Sequence, residues 1–217
     1  MSESTGCPAE VDAESIHTIL SGERGVWLET QPIVDLRRGV ITGYEALARF
    51  DLDVTTPPDW VFAAANRAGL GIELEALVVQ RALALARETP PNCFLSINVD
   101  PLHLTAAEVF DPIIAHGPLD GILFELTEQR QIIDMPGVAS CLAELRKRGA
   151  YVAVDDAGAG YSGLQQILAL RPQFLKADRA LVSEVDADEA KRAMLQLLGE
   201  LAGRLDAWII AEGIETA

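Results

Sequence analysis

The sequence predicts an α/β fold in which a largely parallel sheet, covered by helices, curls into a barrel. Three observations point there. Short segments with apolar middles alternate with amphipathic segments of helical period, the pattern of strands buried on both faces. Polar residues recur at the carboxyl ends of successive strands, which is where a barrel gathers its chemistry. No Gly-x-Gly-x-x-Gly follows the first strand, which weakens the rival doubly wound sheet in its dinucleotide-binding form.

The elements follow in order. Residues 1–24 read as a weakly ordered acidic lead with a helical turn near Ala13–Leu20, and a single domain is expected over 25–217. Strands are expected at 28–34 and 41–49, joined by a turn at Arg37-Arg38-Gly39. Period-two alternation puts Glu45, Leu47 and Arg49 on one face of the second strand and Tyr44, Ala46 and Ala48 on the other. That polar-apolar-polar face suits a strand whose side chains point into a site rather than a solvated edge.

Prolines 57 and 58 open a helix through Trp60, Val61, Ala64 and Ala68 that stops at Gly69. A longer helix runs over Ile72–Arg87, with Leu74, Leu77, Val78, Ala82 and Leu85 near a 3.6-residue period, and ends before Pro90 and Pro91. A strand at 94–98, a short helix within 105–115 and a strand at 122–127 come next. Helix Met135–Arg148, closed by Gly149, precedes a strand at 151–155. A helix over Ser162–Leu170 then leads to a strand at 173–177. Helix Ala187–Arg204 is expected to turn Ala190, Met194, Leu197, Leu198 and Leu201 inward, before a last strand at 208–211. Seven strands result, and an eight-stranded barrel needs one further strand and helix beyond Ala217.

Composition narrows the function. The 217 residues are 49% apolar and 23% charged, which fits a globular chain with a sizeable core. Seventeen basic against 33 acidic residues give a formal charge of −16, which argues against DNA or RNA held by attraction to its backbone. A small anionic ligand stays compatible if metal ions stand between it and the protein. Cys7, Cys93 and Cys141 are scattered and form no Cys-x-x-Cys pair, as in a reducing compartment. Neither a signal peptide nor a membrane-spanning apolar run is visible, so a cytoplasmic protein without membrane contact is expected.

The strand-end residues carry the chemistry. Asn98, Glu128, Asp155 with Asp156, Lys176 and Glu212 fall at or just past the ends of five successive strands, and Glu45 lies in the second. Taken singly, each acid reads as a helix cap or a solvated surface charge. Gathered at one mouth, several carboxylates and an amide require neutralisation, because like charges repel and burial is costly. Hard divalent cations supply it. Oxygen donors of this kind favour Mg²⁺ or Mn²⁺ over zinc, and His17, His103 and His116 show no ligand spacing. The adjacent Asp155 and Asp156 suit two ions about 3.5–4 Å apart, the arrangement that activates a water and offsets phosphodiester charge. Lys176 can orient that water or neutralise charge developing on phosphoryl oxygens. Gly158, Gly160 and Gly163 permit a tight loop over the site, or an ordinary strand-to-helix turn. The residues alone indicate a metal-dependent barrel hydrolase.

Seven segments in order resemble one family: QPIVDL, GYEALAR with its Glu45-Ala46-Leu47 signature, SINV, FELTE, DDAGAGYSGL, FLKAD and AEGIET. Over 27–217 the chain resembles the EAL-domain cyclic di-GMP phosphodiesterases. The resemblance implies a TIM-type (β/α)8 barrel whose first strand runs against the others, here without the eighth strand and helix. It implies hydrolysis of cyclic di-GMP to linear 5′-pGpG with two Mg²⁺ or Mn²⁺ ions. By motif match, Glu45, Asn98, Glu128 and Asp155 look like ligands of one metal, and Asp155 and Asp156 of the second, with Glu212 nearby. Lys176 resembles the lysine that contacts the catalytic water, and Gln31, Leu47 and Arg49 resemble substrate-contacting positions. Glu215 is similar to the glutamate that steadies the glycine-rich loop of Gly158 and Gly160. A homodimer is the family expectation, and sensory or GGDEF domains elsewhere in a longer chain are common.

Two departures bear on activity. The loop usually reads Asp-Asp-Phe-Gly-Thr-Gly, whereas Ala157 and Ala159 stand here, which removes an apolar anchor worth about 1.5–3 kcal/mol when buried. The family domain also continues through an eighth strand carrying a glutamine near the site. Both favour an alternative, an inactive EAL domain serving as a cyclic di-GMP receptor or a protein-interaction regulator.

Overall fold

The computed structural model describes residues 11–53, 55–126, 132, 134–155 and 167–214. Seven strands form one curled sheet whose spatial order is the chain order: β1 (Val26–Asp35), β2 (Val40–Phe50), β3 (Phe94–Val99), β4 (Ile122–Leu126), β5 (Tyr151–Val154), β6 (Phe174–Ala177) and β7 (Trp208–Ala211). Each lies within two residues of its expected span. β1 is antiparallel to β2, and the remaining neighbours are parallel, as the resemblance implied. The antiparallel start has a local cause. Asp35 accepts the amides of Arg37 and Arg38 at 2.8 and 3.2 Å, and Gly39 takes the left-handed φ of 65° that closes the turn.

The helices are α1 (Ala13–Ser21), α2 (Pro58–Ala68), α3 (Gly71–Ala86), α4 (Ala107–Ala115), α5 (Met135–Lys147), α6 (described over 167–170), α7 (Arg179–Val182) and α8 (Glu189–Leu205). α1 is more than the expected single turn. Asp12 caps it by accepting the Ser15 amide at 2.9 Å, and Ile16 and Ile19 are fully buried in a cluster with Val61, Ala65 and Leu74 of α2 and α3. α2 stops where Gly69 turns left-handed, φ 74°, as its sequence indicated.

Alternation along the strands separates two environments. Leu95, Ile97 and Val99 of β3, Phe124 and Leu126 of β4, Val152 and Val154 of β5 and Leu175 of β6 pack beneath the helices in one continuous core. Their neighbours in sequence face the concave side. The concave row includes Ser96, Asn98, Glu125 and Lys176, with Phe94, Leu123 and Phe174 earlier on the same face.

α8 meets expectation in part, since Leu198 is buried and Leu201 packs partly against the core. Leu198 and Ala202 are its buried residues and Leu195 packs partly against the core, while Met194 and Leu197 are 39% and 62% exposed. The helix carries two apolar stripes one position apart, and Asp188 caps its start by accepting the Ala190 and Lys191 amides.

The sheet is open. Among the described residues no strand pairs with the outer edge of β1 or of β7, and Trp27 and Trp208 are exposed at those edges. Aromatic rings form the floor at the amino-terminal ends. Phe174 meets Phe94 at 5.5 Å and Tyr151 at 5.9 Å between ring centroids.

Candidate functional site

Five of the predicted residues converge on the concave side. Glu45 of β2 stands beside Ser96 of β3, and Asn98 of β3 stands beside Glu125 of β4 in the parallel register. Asp155 follows β5 directly, Lys176 lies within β6, and Glu212 follows β7. Residues far apart in sequence share one mouth because parallel strands end on the same side.

Lys176 is the centre of the cluster. It is 2% exposed, and its Nζ donates to Glu125 and Glu212 and lies 3.5 Å from Glu45 Oε1 and 3.8 Å from Asp155 Oδ1. Asn98 donates its amide to Glu45 Oε1 at 3.1 Å, and Ser96 donates its hydroxyl to Glu125 Oε2. One ammonium thus faces four carboxylates.

The protonation preferences follow from burial and charge. Burial pushes Glu125 up to about 7, with Lys176 pulling the other way and Glu45 and Asp155 adding to the rise. Burial works against the Lys176 ammonium, yet Glu125, Asp155, Glu45 and Glu212 outweigh it and hold it above the ordinary lysine range. Burial also raises Glu212, against the pull of Lys176.

The donor set suits a hard cation. Glu45, Glu125 and Glu212 each offer an oxygen within 4.8 Å of the others, with the Asn98 amide and Asp155 alongside. Carboxylates and an amide in excess of the local positive charge are the donors a hard divalent cation takes.

Glu125 was missed in the sequence. It has no exposure and sits mid-strand in FELTE, where attention to strand ends passed over it. The available signal was a lone glutamate between Phe124 and Leu126, which period two turns to the opposite face. Ser96 escaped for the same reason.

Gln31, Leu47 and Arg49 line the same open cleft as Glu45, Asn98, Asp155, Lys176 and Glu212. Arg49 is tied across the strands, donating to Glu29 at 2.8 Å and to the Ala48 carbonyl at 3.0 Å. Glu128, Asp156, Gly158, Gly160 and Glu215 lie outside the described residues, as do Ala157, Ala159 and Cys7. No described helix is long and apolar enough to cross a membrane.

Comparison with known proteins accords with this geometry. Residues 21–217 match the family described as the EAL domain. A cyclic di-GMP phosphodiesterase of Pseudomonas aeruginosa, PA2567, is 29% identical over 215 residues, covering 93% of this chain and 36% of that protein. BlrP1 of Klebsiella pneumoniae, solved as a calcium–cyclic di-GMP complex, superposes with a TM-score of 0.75 at 29% identity, over 88% of this chain and 50% of that one. A second BlrP1 structure holds manganese and cyclic di-GMP (TM-score 0.75, 27% identity, 97% and 52% coverage). An EAL-domain protein of Listeria monocytogenes gives a TM-score of 0.83 at 20% identity over 96% and 85% of the two chains, a likeness of fold. The chain spans 25–39% of the length of the curated relatives it matches.

Proposed function

The chain belongs to the EAL-domain family, and from that premise we propose that it hydrolyses cyclic di-GMP to linear 5′-pGpG. The observation that carries the reading is the buried Lys176 among Glu45, Glu125, Asp155 and Glu212 at the carboxyl mouth of the sheet. Glu45, Asn98, Glu125, Asp155 and Glu212 are the residues that hold Mg²⁺ or Mn²⁺ in this proposal, with Asp156 added by its motif. The place of Glu125 in the cluster supports giving it the ligand role that the motif reading assigned to Glu128. Two such ions would lower the pKa of a bound water and offset the charge of the phosphodiester.

The chain's own residues set the rest. Lys176 orients the attacking water and offsets charge on the phosphoryl oxygens. Water oxygen adds to phosphorus, the P–O3′ bond breaks, and the departing 3′ oxygen takes a proton. Arg49 and Gln31 offer polar contacts in the cleft, and Leu47 an apolar one. The motif match assigns Glu215, Gly158 and Gly160 to the glycine-rich loop segment in this proposal. A homodimer, expected from the family resemblance, is part of this proposal. A cytoplasmic setting fits a dinucleotide substrate.

A receptor that binds the nucleotide without turnover is the second reading, favoured by Ala157 and Ala159 in place of the usual loop residues. Chromatography of cyclic di-GMP incubated with the protein and Mg²⁺ or Mn²⁺ separates the two. Accumulation of pGpG that stops with chelator or with Glu45→Ala supports hydrolysis. Binding without product over hours at micromolar protein supports the receptor.

A further inference from the structure

Among the described residues, one buried acid lies outside the Lys176 cluster. Glu75 of α3 is 5% exposed and its two carboxylate oxygens are both engaged. Oε1 accepts the backbone amide of Asp100 at 2.5 Å, and Oε2 meets His103 Nδ1 at 2.7 Å. Both partners belong to the segment that leaves β3 after Val99, the residue next to Asn98. The segment is folded on itself around Asp100, whose side chain accepts the Leu102 amide at 2.8 Å and whose carbonyl accepts those of His103 and Leu104 at 2.9 and 3.1 Å. Val99 and Leu104 are fully buried on either side.

The corner that delivers Glu75 is built for close approach. A Cβ on Gly71 would fall 3.0 Å from His103 Cε1 and 2.0 Å from the Asn66 Oδ1 side-chain tip, so glycine leaves room for the start of α3 to pack closely against His103. A carboxylate buried here gains nothing from solvent. Burial pushes Glu75 above the usual carboxylate range, opposed by His103 and the Asp100 amide. An acid kept at that cost has partners to hold.

We propose that Glu75 is a positioning residue that clamps the β3–α4 segment through Asp100 and His103 and thereby fixes Asn98, whose amide reaches Glu45 at 3.1 Å. The inference rests on the phosphodiesterase reading for its effect on catalysis, and on the contacts alone for the clamp. Outer-shell partners of metal ligands typically change metal affinity or activity about 10- to 100-fold when removed.

The test compares the 217-residue chain with Glu75→Ala, Glu75→Gln and Glu75→Asp. Glutamine keeps an acceptor for the Asp100 amide and a polar group for His103. Aspartate keeps the charge but withdraws it by one methylene, and it serves the comparison in place of alanine if the alanine variant does not fold. Amide exchange followed by mass spectrometry should speed up over the peptide covering 98–104 in Glu75→Ala, with distant peptides unchanged. Manganese affinity and cyclic di-GMP turnover should fall about 10- to 100-fold, and Glu75→Gln should recover to within threefold of the parent. Unchanged exchange over 98–104, or a Glu75→Gln variant no better than Glu75→Ala, overturns the proposal. A parent chain that binds manganese and nucleotide not at all overturns the phosphodiesterase reading instead. The exchange experiment needs neither ligand and still decides whether Glu75 holds the segment.

Discussion

Lys176 reaches Glu125 at the bottom of the cluster, so the most buried carboxylate of the site and its most buried cation neutralise one another. Three further carboxylates face the same ammonium. Replacing Lys176 by methionine leaves all four acids without a cation, and breaking a buried pair in this way costs about 3–5 kcal/mol. Lys176→Met is expected to melt at lower temperature than the parent in chelator, and manganese is expected to narrow the gap. Thermal melts of both proteins with and without metal check this, and a variant as stable as the parent in chelator refutes it.

The raised Glu125 makes the metal-free protein pH-sensitive in a defined direction. Its folded value of about 7 lies above the 4.5 of an ordinary glutamate, so the native state holds a proton that the unfolded chain releases between those values. Stability without metal therefore falls as pH rises from about 4.5 to 7. Glu75 and Glu212, also raised, act in the same direction. The stabilising contribution of Lys176 is complete below 10.5 and is lost only above it, so it is constant across this window. Asp12, Asp53 and Glu144 are lowered and act oppositely, but below the window and under full solvent screening. A cation taking the place of the proton should reverse the trend. The expected results are a lower melting temperature at about pH 7.5 than at about pH 6 in chelator, and manganese affinity that increases over the same interval. A flat or opposite trend in chelator refutes the assignment.

The parallel strands were legible because short, mostly apolar segments alternate with helical ones, and that pattern survives in any parallel sheet. Strand-end acids were legible for the same reason, since topology alone brings Asp155 and Glu212 together. Glu125 was not, because a mid-strand glutamate is read as an anomaly until the inward face is known to be polar. The packed side of α8 was legible only in part, through Leu198 and Leu201. Ala190, Met194 and Leu197 form as good a stripe as Leu195, Leu198 and Ala202, and the choice depends on where β6 and β7 present their outer faces.

Glu45 separates catalysis from stability. Its carboxylate is 18% exposed, accepts the Asn98 amide and adds to the negative charge around Lys176. Glutamine preserves the carbonyl acceptor and removes one of the repelling charges. Glu45→Gln is expected to stay within about 0.5 kcal/mol of the parent in chelator or to exceed it, as isolated changes near the surface do. Turnover of cyclic di-GMP is expected to drop about 100-fold or more, beyond the range of an outer-shell partner. Denaturant melts and product chromatography on one preparation measure both. Retained turnover removes Glu45 from the ligand set.

The aromatic floor supplies a test that does not involve the chemistry. Gly43 opens the inward face of β2 two residues before Glu45, and a Cβ there would lie 2.6 Å from the ring of Phe94. Phe94 is itself pressed against Phe174, so it has little room to withdraw. Gly43→Ala is expected to cost about 1–3 kcal/mol, the usual penalty of overpacking. In a Phe94→Ala background the same change meets no ring and should cost close to nothing. The difference between the two backgrounds, read from urea melts of the four proteins, is the coupling energy, expected at about 1–3 kcal/mol for residues in contact. Additive costs would mean that Gly43 and Phe94 do not touch, and that the floor beneath Glu45 is closed by something other than these rings.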